Sequence, residues 1–311
     1  MHVLNTLIPV FLVIAVGAAL RRTNFLSGHF IDGLNRLVYW VGLPCLLFYE
    51  IATASFDYPS AGKAFLIVLI GNFGCIAIGY IAARLIHVPG PDVGTFVQGA
   101  FRGNLVYMGL PLVMYSFLNT DGVDVGRMKT ITVLVVGMMV PVYNICAVIV
   151  LLASRHKIDR DVPGKVFRQI ITNPLFLACV FGIIYSAVFS HLPAAIGYTF
   201  KAISQMALPL ALLCIGGTLV QEKVAGRIMY AVTASVIKVA AAPVIGFLAA
   251  QVLALGAGEM RIAMLFLACP TAAASYVMAD QLGGDRQLAA AIVVISTLLS
   301  LPALSIVIGL F

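Results

Sequence analysis

Ten apolar runs of bilayer-spanning length constrain this chain more than any other feature. They are Val3–Leu20, Leu34–Ala52, Ala64–Ala83, Phe96–Phe117, Met128–Ala153, Ile170–Phe189, Gly197–Val220, Met229–Leu255, Ile262–Ala279 and Leu288–Phe311. A helix needs roughly 20 apolar residues to cross the hydrocarbon core. The runs take up most of the chain and leave no room for a soluble domain. The longest polar connection, Ser154–Gln169, has the length of a loop. A transmembrane barrel does not fit, because its strands alternate apolar and polar residues, whereas these runs are apolar on nearly every side. Only 10% of residues are charged, against about 25% in soluble domains. The expected fold is an all-α membrane protein of ten transmembrane helices. The opening Met-His-Val-Leu-Asn-Thr lacks the basic segment of a signal peptide, and Arg21–Arg22 follow the apolar run instead. The first helix is therefore expected to be retained.

Lysine and arginine set an orientation. The odd-numbered connections carry Arg21, Arg22, Arg36, Arg84, Arg155, Lys157, Arg160, Lys165, Arg168, Lys223, Arg227 and Arg286. The even-numbered ones carry Lys63, Arg127, Lys129, Lys201 and Arg261. The bias places the odd connections in the cytoplasm and both termini outside. It also accounts for the net charge of +7 without nucleic acid. The six cysteines all fall inside predicted helices with no metal-ligand spacing; they read as small packing residues, and no metal or cofactor is expected.

The prolines point to an internal repeat. The Ser154–Gln169 connection divides the chain into 1–153 and 170–311, with 154–169 as a cytoplasmic loop. Pro9 and Pro174 lie 165 residues apart, as do Pro44 and Pro209, both in Leu-Pro pairs. Pro111 and Pro270 are separated by 159 and Pro141 and Pro302 by 161. Five helices is an odd number, so the second half enters the membrane the opposite way round. Such an inverted repeat is typical of secondary transporters. The plainer alternative is that the prolines only kink helices for packing.

Interrupted helices at matching positions in two halves are the best sequence pointer to a transporter's site. The fourth and ninth runs fit. The fourth contains Arg102-Gly103-Asn104 and then Tyr107, Gly109 and Pro111; the ninth contains Pro270-Thr271 and then Ser275. Proline opens the hydrogen-bond ladder, and the freed backbone groups must line a protein-enclosed cavity. Half-helix N-termini there carry partial positive charge and can hold an anion. Two such helices crossing would gather backbone donors with Asn104, Tyr107, Thr271 and Ser275, a pocket suited to a carboxylate.

With these residues in view, the chain resembles the auxin efflux carrier family, whose bacterial branch includes malonate- and malate-type permeases. The resemblance covers nearly the whole chain. It rests on Leu43-Pro44, Asn104 with Gly109 and Pro111, Asn173-Pro174, Leu208-Pro209 with Gly216-Gly217, and Pro270-Thr271-Ala272 with Ser275 and Tyr276. It implies a fold similar to bile-acid sodium symporters and sodium/proton antiporters, in a bacterial inner membrane. It further implies a scaffold of helices one, two, six and seven, and a transport domain of helices three to five and eight to ten that moves like an elevator, often in a homodimer. Plant members carry a long central loop, which the short Ser154–Gln169 segment replaces here.

Two cations fall inside the runs. Lys238, near the middle of the eighth, costs roughly 3 kcal/mol to insert at that depth. It either sits beside the helix crossing, where it would replace a bound sodium ion or balance an anionic substrate, or snorkels to an interface. Arg102 either binds a carboxylate bidentately or lies at the cytoplasmic rim. Asp280 reads as interfacial, with proton coupling as the sharper alternative. Asn72 and Asn144 read as ties between helices. No acidic cluster suited to sodium stands out, although backbone carbonyls also bind sodium, so proton and sodium coupling both stay open. An intramembrane enzyme is disfavoured by the lack of HExxH, paired aspartates or Ser/His pairs. No G-x-x-x-x-G-K-[ST] segment supports direct ATP drive, and no ring of charges or carbonyl filter marks a channel. The residues expected at the site are Arg102, Asn104, Tyr107, Gly109, Pro111, Lys238, Pro270, Thr271 and Ser275, and the expected activity is secondary transport of a small organic anion.

Overall fold

The computed structural model describes residues 2–53, 58–118, 124–155, 164, 167–168, 171–189, 191–221, 227–253 and 255–311. Most of the Ser154–Gln169 connection, with Lys157, Arg160 and Lys165, lies outside the described residues, as does Lys223.

The chain is built from helices. In order they are α1 (His2–Arg22), α2 (Gly28–Leu37), α3 (Leu43–Ala52), α4 (Tyr58–Leu85), α5 (Gly90–Phe101), α6 (Leu110–Leu118), α7 (Val125–Ser154), α8 (Pro174–Val188), α9 (Ala194–Gln221), α10 (Ile228–Val236), α11 (Ala242–Leu253), α12 (Ala257–Ala268), α13 (Ala274–Gln281) and α14 (Arg286–Leu310). Five helical stretches are long and apolar enough to cross a membrane: Pro59–Leu85, Val125–Ser154, Ala194–Val220, Ile228–Leu253 and Arg286–Leu310.

The distribution of side chains is that of a protein dissolved in lipid. On α1, Ile8, Leu12 and Val16 recur every four residues and are all exposed, whereas Thr6 is fully buried. Asn72, Gln98, Lys238, Ser296 and Ser300 are buried to 1% exposure or less, while Leu85, Val252 and Leu310 stand more than two-thirds exposed. In water such a surface would be an aggregation liability. In a bilayer the apolar side faces the solvent, and polar side chains turn inward to find partners.

Sequence accounts for where the helices start and bend. Ser27 caps α2, accepting from Phe30 N–H at 3.1 Å. Asn173 caps α8, its Oδ1 accepting from Leu175 and Phe176 N–H at 2.9 and 3.1 Å, with Pro174 at the first helical position, where a missing N–H does no harm. Asp285 caps α14 through Leu288 N–H at 3.0 Å. Three prolines are each preceded by a π-helical turn that ends two residues earlier: Val38–Gly42 before Pro44, Leu105–Gly109 before Pro111, and Ile237–Ala241 before Pro243. A proline ring collides with the carbonyl four residues back. The wider π turn, which carries one extra residue, moves that carbonyl aside. Pro9, Pro141, Pro209 and Pro302 remain inside unbroken α-helices.

The chain forms two compact units. The first comprises Met1–Gly62, Val106–Pro141 and Ile170–Gln221; the second comprises Lys63–Leu105, Val142–Gln169 and Glu222–Phe311. In the first unit, α1 packs along α9, and α3 lies against α8 and α9. The α1–α9 approach depends on glycine: a Cβ at Gly17 would overlap the Leu213 carbonyl, and one at Gly216 the Ile14 carbonyl. In the second unit, α14 lies against α10, α12, α13 and α5. The two interrupted helices of this unit, α5 and the α12–α13 pair, carry the site.

Candidate functional site

Both interruptions fall where the sequence places them. α5 ends at Phe101, and Arg102 turns to extended backbone at φ −76°, ψ 92°. α12 ends at Ala268, Cys269 is extended at φ −59°, ψ 145°, and α13 begins at Ala274. The freed backbone groups pair with each other. Gly103 and Thr271 form an isolated antiparallel bridge, in which Asn104 N–H donates to the Pro270 carbonyl and Ala272 N–H to the Arg102 carbonyl, each at 2.8 Å. The two breaks therefore cross inside the second unit, joined by strand-like hydrogen bonds.

Side chains reinforce the crossing. Thr271, 1% exposed, donates its hydroxyl to the Gly99 carbonyl at 2.7 Å, and its N–H donates to Ser296 Oγ at 3.0 Å. Arg102 is buried rather than at a rim, and its guanidinium donates to Asn144 Oδ1 at 2.8 Å and to Met278 Sδ at 3.8 Å. Asn144 is thus a tie, as its position in an apolar run suggests. Lys238 does not snorkel. It is 1% exposed, and Nζ donates to the Leu267 carbonyl at 2.5 Å. That carbonyl lies in the last turn of α12, where the break leaves C=O groups without helical partners and a cation is favoured. Gly103 leaves room for this arrangement: a Cβ there would lie 3.1 Å from Lys238 Cε and 3.2 Å from Tyr143 Oη.

The start of α13 is different. No side chain caps it, because Ala273 occupies the N-cap position. Ser275, in its first turn, is 1% exposed, and its Oγ has no hydrogen-bond partner among the described residues. Ala274 beside it is exposed, and Ala272 and Ala273 are partly so. An uncapped helix start with an unpaired buried hydroxyl, opening outward, is a set of donors without an acceptor.

Arg102, Asn104, Lys238, Pro270, Thr271 and Ser275 thus belong to one unit and centre on the crossing. Tyr107, Gly109 and Pro111 belong to the first unit. There the Tyr107 hydroxyl donates to the Asn35 carbonyl at 3.4 Å, Gly109 closes the π turn, and Pro111 stands in the first turn of α6. Asp280 stands at the surface, with its carboxylate more than half exposed and 3.6 Å from Arg286. Sequence reasoning passed over Tyr143, whose hydroxyl is hydrogen-bonded to the Gly103 backbone, and Ser296. It also missed Gln98, a fully buried side chain neither of whose amide atoms has a protein partner among the described residues. A lone glutamine in an apolar run was the available signal.

Comparison with known proteins agrees with this architecture. A protein of Rhizobium meliloti (strain 1021), named "Putative malonate transporter", is 25% identical over 314 residues, spanning 96% of this chain and 92% of the relative. The profile of the Mem_trans family, described as membrane transport protein, matches residues 2–308. The chain is an integral membrane protein and belongs to that family of membrane transport proteins, the auxin efflux carriers.

Proposed function

We propose that this transporter carries a small organic anion, a carboxylate, and that the anion docks at the start of α13 beside the crossing. The observation that carries the reading is the uncapped α13 N-terminus with Ser275 Oγ unpartnered. A carboxylate supplies the acceptors this end lacks, and the helix dipole favours its charge. Asn104 and Ser275 contact the anion; Arg102 and Lys238 supply positive charge nearby. Pro270 and Thr271 hold the crossing in shape, since the Thr271 N–H and hydroxyl are already engaged. Tyr107, Gly109 and Pro111, which the sequence reading adds to the site, lie in the first unit. The name of the Rhizobium meliloti relative is consistent with a dicarboxylate.

In this reading ten helices span a bacterial inner membrane as two inverted repeats, with both termini outside. The unit that contains the crossing moves as an elevator carriage against a scaffold of the first, second, sixth and seventh helices, in a homodimer. The division of the chain supports part of this: the first unit gathers α1–α3, α8 and α9, and the second gathers α5, α10–α14 and nearly all of α4, while α6 and Val125–Pro141 of α7 fall in the first unit. Uptake of radiolabelled malonate, malate, succinate and indole-3-acetate into proteoliposomes tests the proposal. Saturable uptake of one of them is the expected result. No uptake of any carboxylate by folded protein, with transport of a cation or neutral solute instead, would overturn it.

A further inference from the structure

Lys238 presents a charge problem that hydrogen bonding alone does not solve. Its ammonium is buried in the π turn Ile237–Ala241, and every group that faces it is neutral. α4 brings Cys75, whose thiol lies 3.7 Å from the Ile237 carbonyl. α7 brings Tyr143, the end of α12 brings Cys269, and the break after α5 brings Gly103. The charged groups on the packed elements are engaged elsewhere. Asp92, in the first turn of α5, pairs with Arg227. Glu259 and Arg261 lie at the opposite end of α12, with Arg261 donating to the Phe311 carbonyl. Arg286, at the start of α14, faces Asp280. Arg102, nearest in sequence to the crossing, is turned to Asn144 and Met278. No carboxylate among the described residues reaches Lys238.

An ammonium held away from water without a counter-charge is strongly disfavoured, and such a group sheds its proton unless an anion joins it. The site reached from the same crossing is one that takes an anion. We propose that Lys238 is the proton-coupling residue of the carrier: it takes up a proton when the carboxylate docks and releases it when the carboxylate leaves, so that one proton crosses with each anion. On docking, a proton passes from water to the Nζ lone pair. On the far side the anion departs and that proton returns to water. Only an N–H bond forms and breaks. The hydrogen bond from Nζ to the Leu267 carbonyl survives both states, because a neutral amine still donates. The empty unit returns without a charge at 238.

This inference rests on the carboxylate reading of the site and adds its coupling. The test uses full-length protein in vesicles that contain a pH dye, with the membrane potential clamped and a gradient of radiolabelled malonate. Wild-type protein should move about one proton inward with each anion. Lys238→Arg holds its charge permanently, so the empty carrier should be unable to return. Net uptake should then fall at least about tenfold, and by clearly more than malonate–malonate exchange falls. The wild-type proton count needs no variant and decides the matter even if Lys238→Arg does not fold. Malonate uptake by wild type without proton movement, or net uptake by Lys238→Arg at the wild-type rate, would overturn the coupling and leave the carboxylate carrier standing. Wild-type vesicles that take up no carboxylate would overturn both.

Discussion

Ser275 and Lys238 pose opposite problems at the scale of single residues. Among the described residues, one is a buried hydroxyl with no hydrogen-bond partner and the other a buried amine with no carboxylate in reach. Leaving a buried polar group unpaired costs about 1–3 kcal/mol, and an unpaired buried charge costs more. In the proposed account a single anion relieves both. Ser275→Ala removes no hydrogen bond among the described residues, so thermal stability should stay close to the wild-type value. A hydrogen bond to a charged partner contributes about 1.5–3 kcal/mol, so KM for the transported carboxylate should rise about tenfold or more. Uptake kinetics beside a melting curve check this, and an unchanged KM would remove Ser275 from the site. Ser275 was legible in the sequence from its place one turn after Pro270-Thr271. The burial of Arg102 and its turn toward Asn144 were not, because side-chain direction at a helix break depends on tertiary packing. Gln98 and Tyr143 gave no signal beyond being polar residues in apolar runs.

The crossing is an exchange of hydrogen bonds between two broken helices at the scale of elements. Each break frees N–H and C=O groups that lipid cannot satisfy, and the Gly103–Thr271 bridge satisfies four of them. Thr271→Val keeps the shape but removes the hydroxyl that holds the Gly99 carbonyl. It should cost about 1–3 kcal/mol and lower the transport rate together with the melting temperature. Asn173→Ala is the contrast. It removes the cap of α8 at a cost of about 1 kcal/mol and should leave KM unchanged, because α8 belongs to the first unit. If Asn173→Ala changed KM as much as Ser275→Ala, the assignment of the anion to the second unit would be wrong. The breaks at Gly103 and Pro270 could be read from sequence because glycine and proline punctuate helices. The π turns could not, because Pro44, Pro111 and Pro243 carry one while Pro9, Pro141, Pro209 and Pro302 do not.

The ten apolar runs made the helical membrane class legible at the scale of the whole molecule, since nothing else accommodates so little charge in such long stretches. The Ser154–Gln169 division marks a repeat along the chain, and the expectation of a scaffold interleaved with a transport domain comes from the family resemblance alone. Compactness groups segments from both halves of the chain, and packing between distant runs leaves no mark on local composition. Orientation is a whole-molecule prediction that the lysine and arginine bias makes on its own. With single cysteines introduced as His2→Cys and Arg160→Cys, an impermeant maleimide applied to intact cells should label the first and spare the second. Five native thiols, Cys75, Cys146, Cys179, Cys214 and Cys269, are buried; Cys45 is half-buried and is first replaced by alanine to remove its background. Labelling in the reverse pattern would invert the topology.

The most direct test of where the anion sits is labelling at Ala274, the exposed first residue of α13. Ala274→Cys protein in proteoliposomes is treated with a maleimide across a range of concentrations of the transported carboxylate. The anion should slow labelling, with half-protection at the concentration that half-saturates uptake. Labelling that proceeds unchanged while uptake is saturated would place the anion elsewhere and contradict the account.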